Sequence, residues 1–552
     1  MNKKVCSFPI LFALLALLIG TCAAVFPASA QAVPTSTGSI TVSGTVASSY
    51  DAYQIFSANV IDDSGDAKIA TDLAWASDAA RDAALSVLHS AGMPNSQTTA
   101  QEAAEWLNTD SHLTSALSAQ LARSLQSSDA VPLNAGKTAE LSCGYWLIVA
   151  DDGAISQNEA GTAPIMALVG GGAVTVKPKA ATPKVQKHVL EDSTAAWQKA
   201  ADATVADDLC WRLSATVPAG LTAYDTYTVR FVDTMSAGLD PSKVAASMRV
   251  YVAAGADGGF DAVSVGRDGR AGTDPAKGWT DITAQCGVSV DGKTFTARTG
   301  DLIAALGGAD AFAAGARVVA VYNAPLNSAC NHGIAKGNPN EVYLRYPRSP
   351  FADQSGDAGF TRTPSDDACA YTWDLALTKR GSDGDKPLAG AVLSIADDRG
   401  RTLAADGTWD AEGKAIVTTG EDGRVTVSGV DSGKLEVREL KAPKGYTAFE
   451  GTRSVTVKAE GLDVDQVVAA KPKLSITAES PLRADSADGS TGSLEASLIN
   501  TPTGTPPSIT TGGFMPSTGD MAMYAAAAAA VAGAALIVVA LLVKRGGGSH
   551  KE

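Results

Sequence analysis

The side chains that most often carry chemistry are few and scattered. The histidines stand at His89, His112, His188, His332 and His550, with no His-Glu-x-x-His among them. No Gly-x-Ser-x-Gly elbow presents a serine nucleophile. Cys6 and Cys22 lie in the N-terminal apolar stretch, and Cys143, Cys210, Cys286, Cys330 and Cys369 have spacings that fit no metal site. Acidic glycine turns such as Ala256-Asp257-Gly258 hold too few oxygen ligands for a calcium loop. This pattern argues against a turnover enzyme and implies no cofactor and no bound metal. The reactive candidate is instead a peptide near the C-terminus, Met515-Pro516-Ser517-Thr518-Gly519. Pro516 fixes an extended, kinked segment that loses little entropy on capture. The Pro/Thr/Gly-rich stretch 501–513 before it keeps it clear of any folded domain.

The elements around that peptide must hold it at a membrane. Met521–Val543 is an uncharged apolar run of 23 residues, enough to cross a bilayer as a helix. Lys544, Arg545 and Lys551 follow it, which places the 544–552 tail in the cytoplasm. At the other end, Lys3 and Lys4, an apolar core Phe8–Ile19 and Ala28-Ser29-Ala30 form a signal peptide over residues 1–30. The chain between these ends is long enough for about three domains. Its formal charge of −15 suits a solvated exterior and argues against nucleic acid as a partner. Export permits disulfides, and the odd number of cysteines past residue 30 leaves at least one unpaired within the monomer. Three cysteines fall in the second domain (Cys210, Cys286 and Cys330), where a disulfide is a candidate cross-link.

Taken in order, residues 35–175 alternate as strands at Ser39–Val46, Tyr50–Phe56 and Leu141–Val149. Helical periodicity appears at Ser77–His89, Thr99–Leu107 and Ser111–Leu125, so the first domain is α+β. Residues 182–364 and 370–502 read as apolar/polar strands separated by glycine turns, with Glu421-Asp422-Gly423 as a hairpin signal. Residues 503–519 form a linker and the exposed peptide.

Several stretches carry a resemblance. Met515–Gly519 resembles the LPxTG cell-wall sorting signal, with Met for Leu. "YDAYQIF" and "LSCGYWLIVADD" resemble the N-terminal domain of sortase-assembled backbone pilins of Gram-positive bacteria, the Spa type. That resemblance implies a mainly β fold: tandem Ig-like, Cna-B-type (prealbumin-like) sandwiches, an α+β N-terminal domain and a C-terminal transmembrane helix. It implies a sortase that cleaves Thr518–Gly519. It also implies an acceptor lysine in "VKPK", namely Lys179 between Pro178 and Pro183, with Lys177 and Lys184 as rivals.

In such domains a lysine and an asparagine join as an isopeptide beside a catalytic acid. "YTWDLALTKR", "ELKAPKGY" and "SLEASLIN" place these at Lys379, Glu439 and Asn500. In the second domain the resemblance supplies Lys187 and Asp233, but Arg348 stands where the asparagine is expected, with Asn338 and Asn340 out of register. The function implied is the shaft subunit of a covalent pilus that supports adhesion, a structural protein and a sortase substrate. Its partners would be pilin-specific and housekeeping sortases, identical subunits, minor pilins, peptidoglycan and host surface ligands. It would be secreted to the cell surface and wall-anchored. The rival is a minor pilin or monomeric wall-anchored adhesin.

Overall fold

The computed structural model describes residues 36–504, apart from 45, 63–67, 110–111, 127, 157, 162, 179–181, 267–268 and 468–471. The signal peptide, Lys179, the sorting peptide Met515–Gly519, the apolar run 521–543 and the basic tail therefore lie outside the described residues.

In the first domain the three helices form where the periodicity puts them, at Asp78–Ser90, Ala100–Asn108 and Ser115–Leu125. Each starts on a hydroxyl cap: Ser77, Thr99 and Thr114 accept from the first-turn amides. Thr99 and Glu102 complete a reciprocal capping box. The helices bury Leu88, Leu107, Leu121 and Leu125 against the strands Ser49–Asp62 and Gly144–Ala150. A second small sheet, Thr138–Ser142, Thr37–Val42 and Val174–Val176, covers Trp146 from the other side.

The second domain is a sandwich of two sheets. One holds Lys184–Glu191 beside Cys210–Val217, followed by Ala316–Asn323 and Arg249–Ala254. The facing sheet holds Ala200–Asp202, Asp366–Tyr371, Asn338–Pro347, Arg230–Met235 and Thr294–Arg298. Their inner faces bury Trp211, Phe231, Phe295 and Tyr322. Asp366–Tyr371 pairs within this sheet, and Trp373–Gly381 enters the next sheet directly after it.

The third domain is a smaller sandwich. Its first strand, Trp373–Gly381, runs parallel to its last described strand, Ser493–Asn500, with Lys379 opposite Leu498 and Gly381 opposite Asn500. The second sheet contains Val392–Ala396, Gly433–Lys441 and Thr452–Glu460. Glu421-Asp422-Gly423 is a turn but not a hairpin. Val417–Thr418 pairs with Val392–Ala396, whereas Arg424–Val430 pairs with Trp373–Gly381, so the chain changes sheets there. Gly423 has φ +72°, and a Cβ on it would meet the Lys379 carbonyl oxygen at 2.9 Å, so the crossing fixes the backbone beside Lys379.

Candidate amide-forming sites

In the third domain, strand alternation turns Lys379 and Asn500 inward, and both are buried. Glu439 comes from the facing sheet on Gly433–Lys441 and is also buried. Glu439 Oε1 lies 3.3 Å from Lys379 Nζ and accepts from Asn500 Nδ2 at 2.9 Å. Its Oε2 accepts from Asn500 Nδ2 at 3.0 Å and from the Phe449 amide at 3.1 Å. The three residues named from sequence thus meet at one carboxyl group. Burial lowers the Lys379 pKa to about 8, against the opposing pull of Glu439. About a tenth of the amine is then neutral and nucleophilic at pH 7, against far less for an ordinary lysine. The clasp around this site is local: Ser382 donates to the Asn500 carbonyl at 2.9 Å, and Tyr446 Oη donates to Asp383 at 2.8 Å.

The second domain contains a comparable cluster with a different membership. Lys187 and Asp233 are fully buried and in direct contact. The carboxamide beside them is Asn340, also fully buried. Asn340 pairs with Met235 across the sheet, on the strand next to Asp233. Tyr322 Oη bridges the group. It accepts from Lys187 Nζ at 2.8 Å and from Asn340 Nδ2 at 2.9 Å, and it donates to Asp233 Oδ2 at 2.9 Å. Burial lowers the Lys187 pKa to about 8 and raises that of Asp233, with each partly offset by the other. The side-chain oxygen of Asn340 and that of Asn500 are both buried without a hydrogen-bond partner among the described residues. A buried carbonyl oxygen without a donor is costly.

The register expectation for this domain is corrected. Arg348 lies outside the cluster: it donates to the Asp152 carbonyl at 3.0 Å and accepts from the Gly161 amide at 2.7 Å, which joins the first domain to the second. Asn338 and Asn340 both face inward in the alternation of Asn338–Pro347. Asn338 is spent on structure, since its Oδ1 accepts from the Asn331 amide and its Nδ2 donates to the Asn331 and Ala370 carbonyls. Asn340 is left for Lys187 and Asp233. The readable signal was its alternation with Val342, Leu344 and Tyr346 on a buried face; a polar residue in that series needs a reason. Tyr322 gave no comparable signal.

The disulfide expectation is corrected too. Cys143, Cys210, Cys286, Cys330 and Cys369 are free thiols. Burial pushes the Cys210 thiol up to about 12 and those of Cys286 and Cys369 up to about 11, which suppresses the thiolate needed for exchange. Lys199 is a further buried lysine that sequence reasoning did not single out. It donates to Asp366 at 2.5 Å and to the carbonyls of Lys187 and Asp367, so all three of its protons are engaged. Of the acceptor candidates that are described, Lys177 and Lys184 are exposed.

Comparison with known proteins places the third domain. Residues 374–471 match the SpaA prealbumin-like fold domain. A stretch of 143 residues is 31% identical to the trypsin-resistant surface T6 protein of Streptococcus pyogenes serotype M6, covering 24% of this chain and 24% of that protein. The chain thus matches about a quarter of that relative's length. Among solved structures, the T6 backbone pilin of serotype M6 Streptococcus pyogenes is 17% identical over 85% of this chain and 98% of its own, with a TM-score of 0.45. The full-length major pilin SpaD of Corynebacterium diphtheriae is 14% identical over 86% of this chain and 99% of its own, with a TM-score of 0.42. The resemblance to Gram-positive backbone pilins stated from the sequence is borne out by the prealbumin-like domain match and the T6 relative.

Proposed function

We propose that this chain is the shaft subunit of a covalent cell-surface pilus, a structural protein whose own chemistry is limited to intramolecular amide bonds. Two consecutive domains each bury an amine, a carboxyl group and a carboxamide together, meeting at Glu439 in the third and through the Tyr322 hydroxyl in the second, and that observation carries the reading. The neutral lysine attacks the carboxamide carbon, the acid protonates the carboxamide oxygen, and ammonia leaves. For this step Asn500 takes the other amide rotamer, with Oδ1 turned to Glu439. Juxtaposition by the fold supplies the effective concentration that an external enzyme would otherwise provide.

In this reading a sortase cleaves after Thr518 and transfers that acyl group to Lys179 of the next subunit. A housekeeping sortase joins the last subunit to peptidoglycan, minor pilins share the fibre, and the apolar run 521–543 holds the precursor in the membrane. The sorting peptide, the pilin-type lysine stretch and the paired clusters support it together. Immunoblots of surface extracts boiled in detergent test it. A high-mass ladder that collapses to monomer in Lys179→Ala supports the polymer. A single wall-linked monomer band in the unmodified chain would end it. Peptide mass spectrometry of fibres should report a Lys179–Thr518 junction together with Lys379–Asn500 and Lys187–Asn340 links.

A further inference from the structure

Tyr322 stands on Ala316–Asn323, in the same sheet as Lys187, with the Cys210–Val217 strand between them. Its ring is buried and braced edge-on by Phe295 at 4.8 Å between centroids. Lys187 Nζ lies 5.3 Å from the Trp211 ring centre and 5.4 Å from that of Tyr322. The hydroxyl therefore points across the sandwich to the facing sheet, where it meets Asp233 and Asn340. It touches the nucleophile, the acid and the nitrogen that must leave. Among the described residues the third domain has no such hydroxyl; Lys379 Nζ contacts only Glu439 and the Leu498 carbonyl, the latter at 3.4 Å.

We propose that Tyr322 is a catalytic residue of the second domain, its hydroxyl carrying the proton from the attacking Lys187 amine to the departing Asn340 nitrogen. The proposal rests on the reading of Lys187, Asp233 and Asn340 as a bond-forming set. As the Nζ–Cγ bond forms, the carbonyl electron pair moves to Asn340 Oδ1, which takes the Asp233 proton. The Tyr322 oxygen, already the acceptor from Lys187, takes one Nζ proton. Its own hydrogen turns from Asp233 to Asn340 Nδ2. The Cγ–Nδ2 bond then breaks, ammonia leaves, and Oδ1 returns its proton to Asp233. One amine and one carboxamide become one secondary amide and one ammonia. Burial and the nearby Asp233 raise the Tyr322 pKa well above its ordinary value, so the hydroxyl stays neutral and passes protons without storing charge.

The test follows bond formation in the full chain after a pulse of synthesis, with tryptic mass spectrometry counting linked and unlinked peptides. The Lys379–Asn500 link in the same molecules serves as an internal clock. Tyr322→Phe is expected to slow the Lys187–Asn340 link about a hundredfold against that clock. An unchanged relative rate overturns the relay. Absence of the Lys187–Asn340 peptide from the unmodified chain overturns the site reading and the relay with it. Should the Phe variant fail to fold, 3-fluorotyrosine at position 322 changes the acidity of the hydroxyl while keeping its shape. A relay then shifts the pH–rate profile of the second link alone, and an unmoved profile assigns Tyr322 to packing.

Discussion

The second and third domains bring together the same three functional groups by different routes. In the third, amine and carboxamide sit on neighbouring parallel strands of one sheet, and the acid reaches over from the other. In the second, the amine comes from one sheet, and both acid and carboxamide come from the facing one. A bond at Lys379–Asn500 would tie the first strand of its domain to the last. A bond at Lys187–Asn340 would tie sheet to sheet and leave residues 341–371 outside the closed loop. The chemistry needs only contact and burial; the load path depends on which strands are joined.

The largest expected difference is therefore mechanical. Pulled from its ends, the third domain should resist extension until covalent bonds fail, because almost no chain lies outside its loop. The second should yield by release of residues 341–371, on the order of 10 nm at ~3.4 Å per residue. Single-molecule stretching of the full chain reads this directly. Equal extension from both domains would erase the comparison. Removal of the electrophile comes next. Asn500→Ala and Asn340→Ala should each cost on the order of 4–5 kcal/mol by loop-entropy arithmetic, seen as a lower denaturation midpoint. Intact mass should rise by one retained ammonia, corrected for the substitution. The two losses should be nearly equal, since the enclosed loops differ little in logarithm. A much larger loss in one domain would mean that strain or packing outweighs chain entropy there.

Those variants also sharpen the electrostatic side. Each keeps a buried free lysine with a pKa of about 8, against about 10.4 in the unfolded chain. Between these values the unfolded state binds more protons than the folded one, so stability should rise with pH across that window and level off above it. Chemical denaturation of Asn500→Ala from pH 7 to pH 10.5 checks the sign. A flat profile would mean that Lys379 remains charged in the folded domain.

Strand alternation and the three helices of the first domain were legible in the sequence because each is a local pattern. The third-domain cluster was named through the resemblance carried by "ELKAPKGY" and "SLEASLIN". The second-domain carboxamide was harder to place, because its partners meet across a sandwich and no local pattern records which inward residue faces which. Tyr322 belongs to the same class: a tyrosine in an apolar strand looks like core until its hydroxyl is seen to have three partners. The turn at Gly423 was found as a turn but read as a hairpin, since residue types fix the bend and not the sheet that receives the next strand.

Arg348 provides the smallest effect and the cleanest check on the reassignment to Asn340. Its guanidinium and carbonyl join the first domain at Asp152 and Gly161, close to Arg123, which pairs with Asp225 at 2.9 Å and donates to the Pro350 carbonyl at 3.2 Å. Arg348→Ala removes one hydrogen bond to a backbone carbonyl, a loss of about 1 kcal/mol. It should loosen the first domain against the second, read as faster amide hydrogen exchange around Asp152 and Tyr224. The Lys187–Asn340 link should form as before. Arg348→Asn puts a carboxamide where family register expects one, but past the end of Asn338–Pro347 and against Asp152 and Gly161, so no peptide joining Lys187 to position 348 should appear. Detection of that cross-linked peptide would return the electrophile to the end of the strand and make Asn340 a buried bystander.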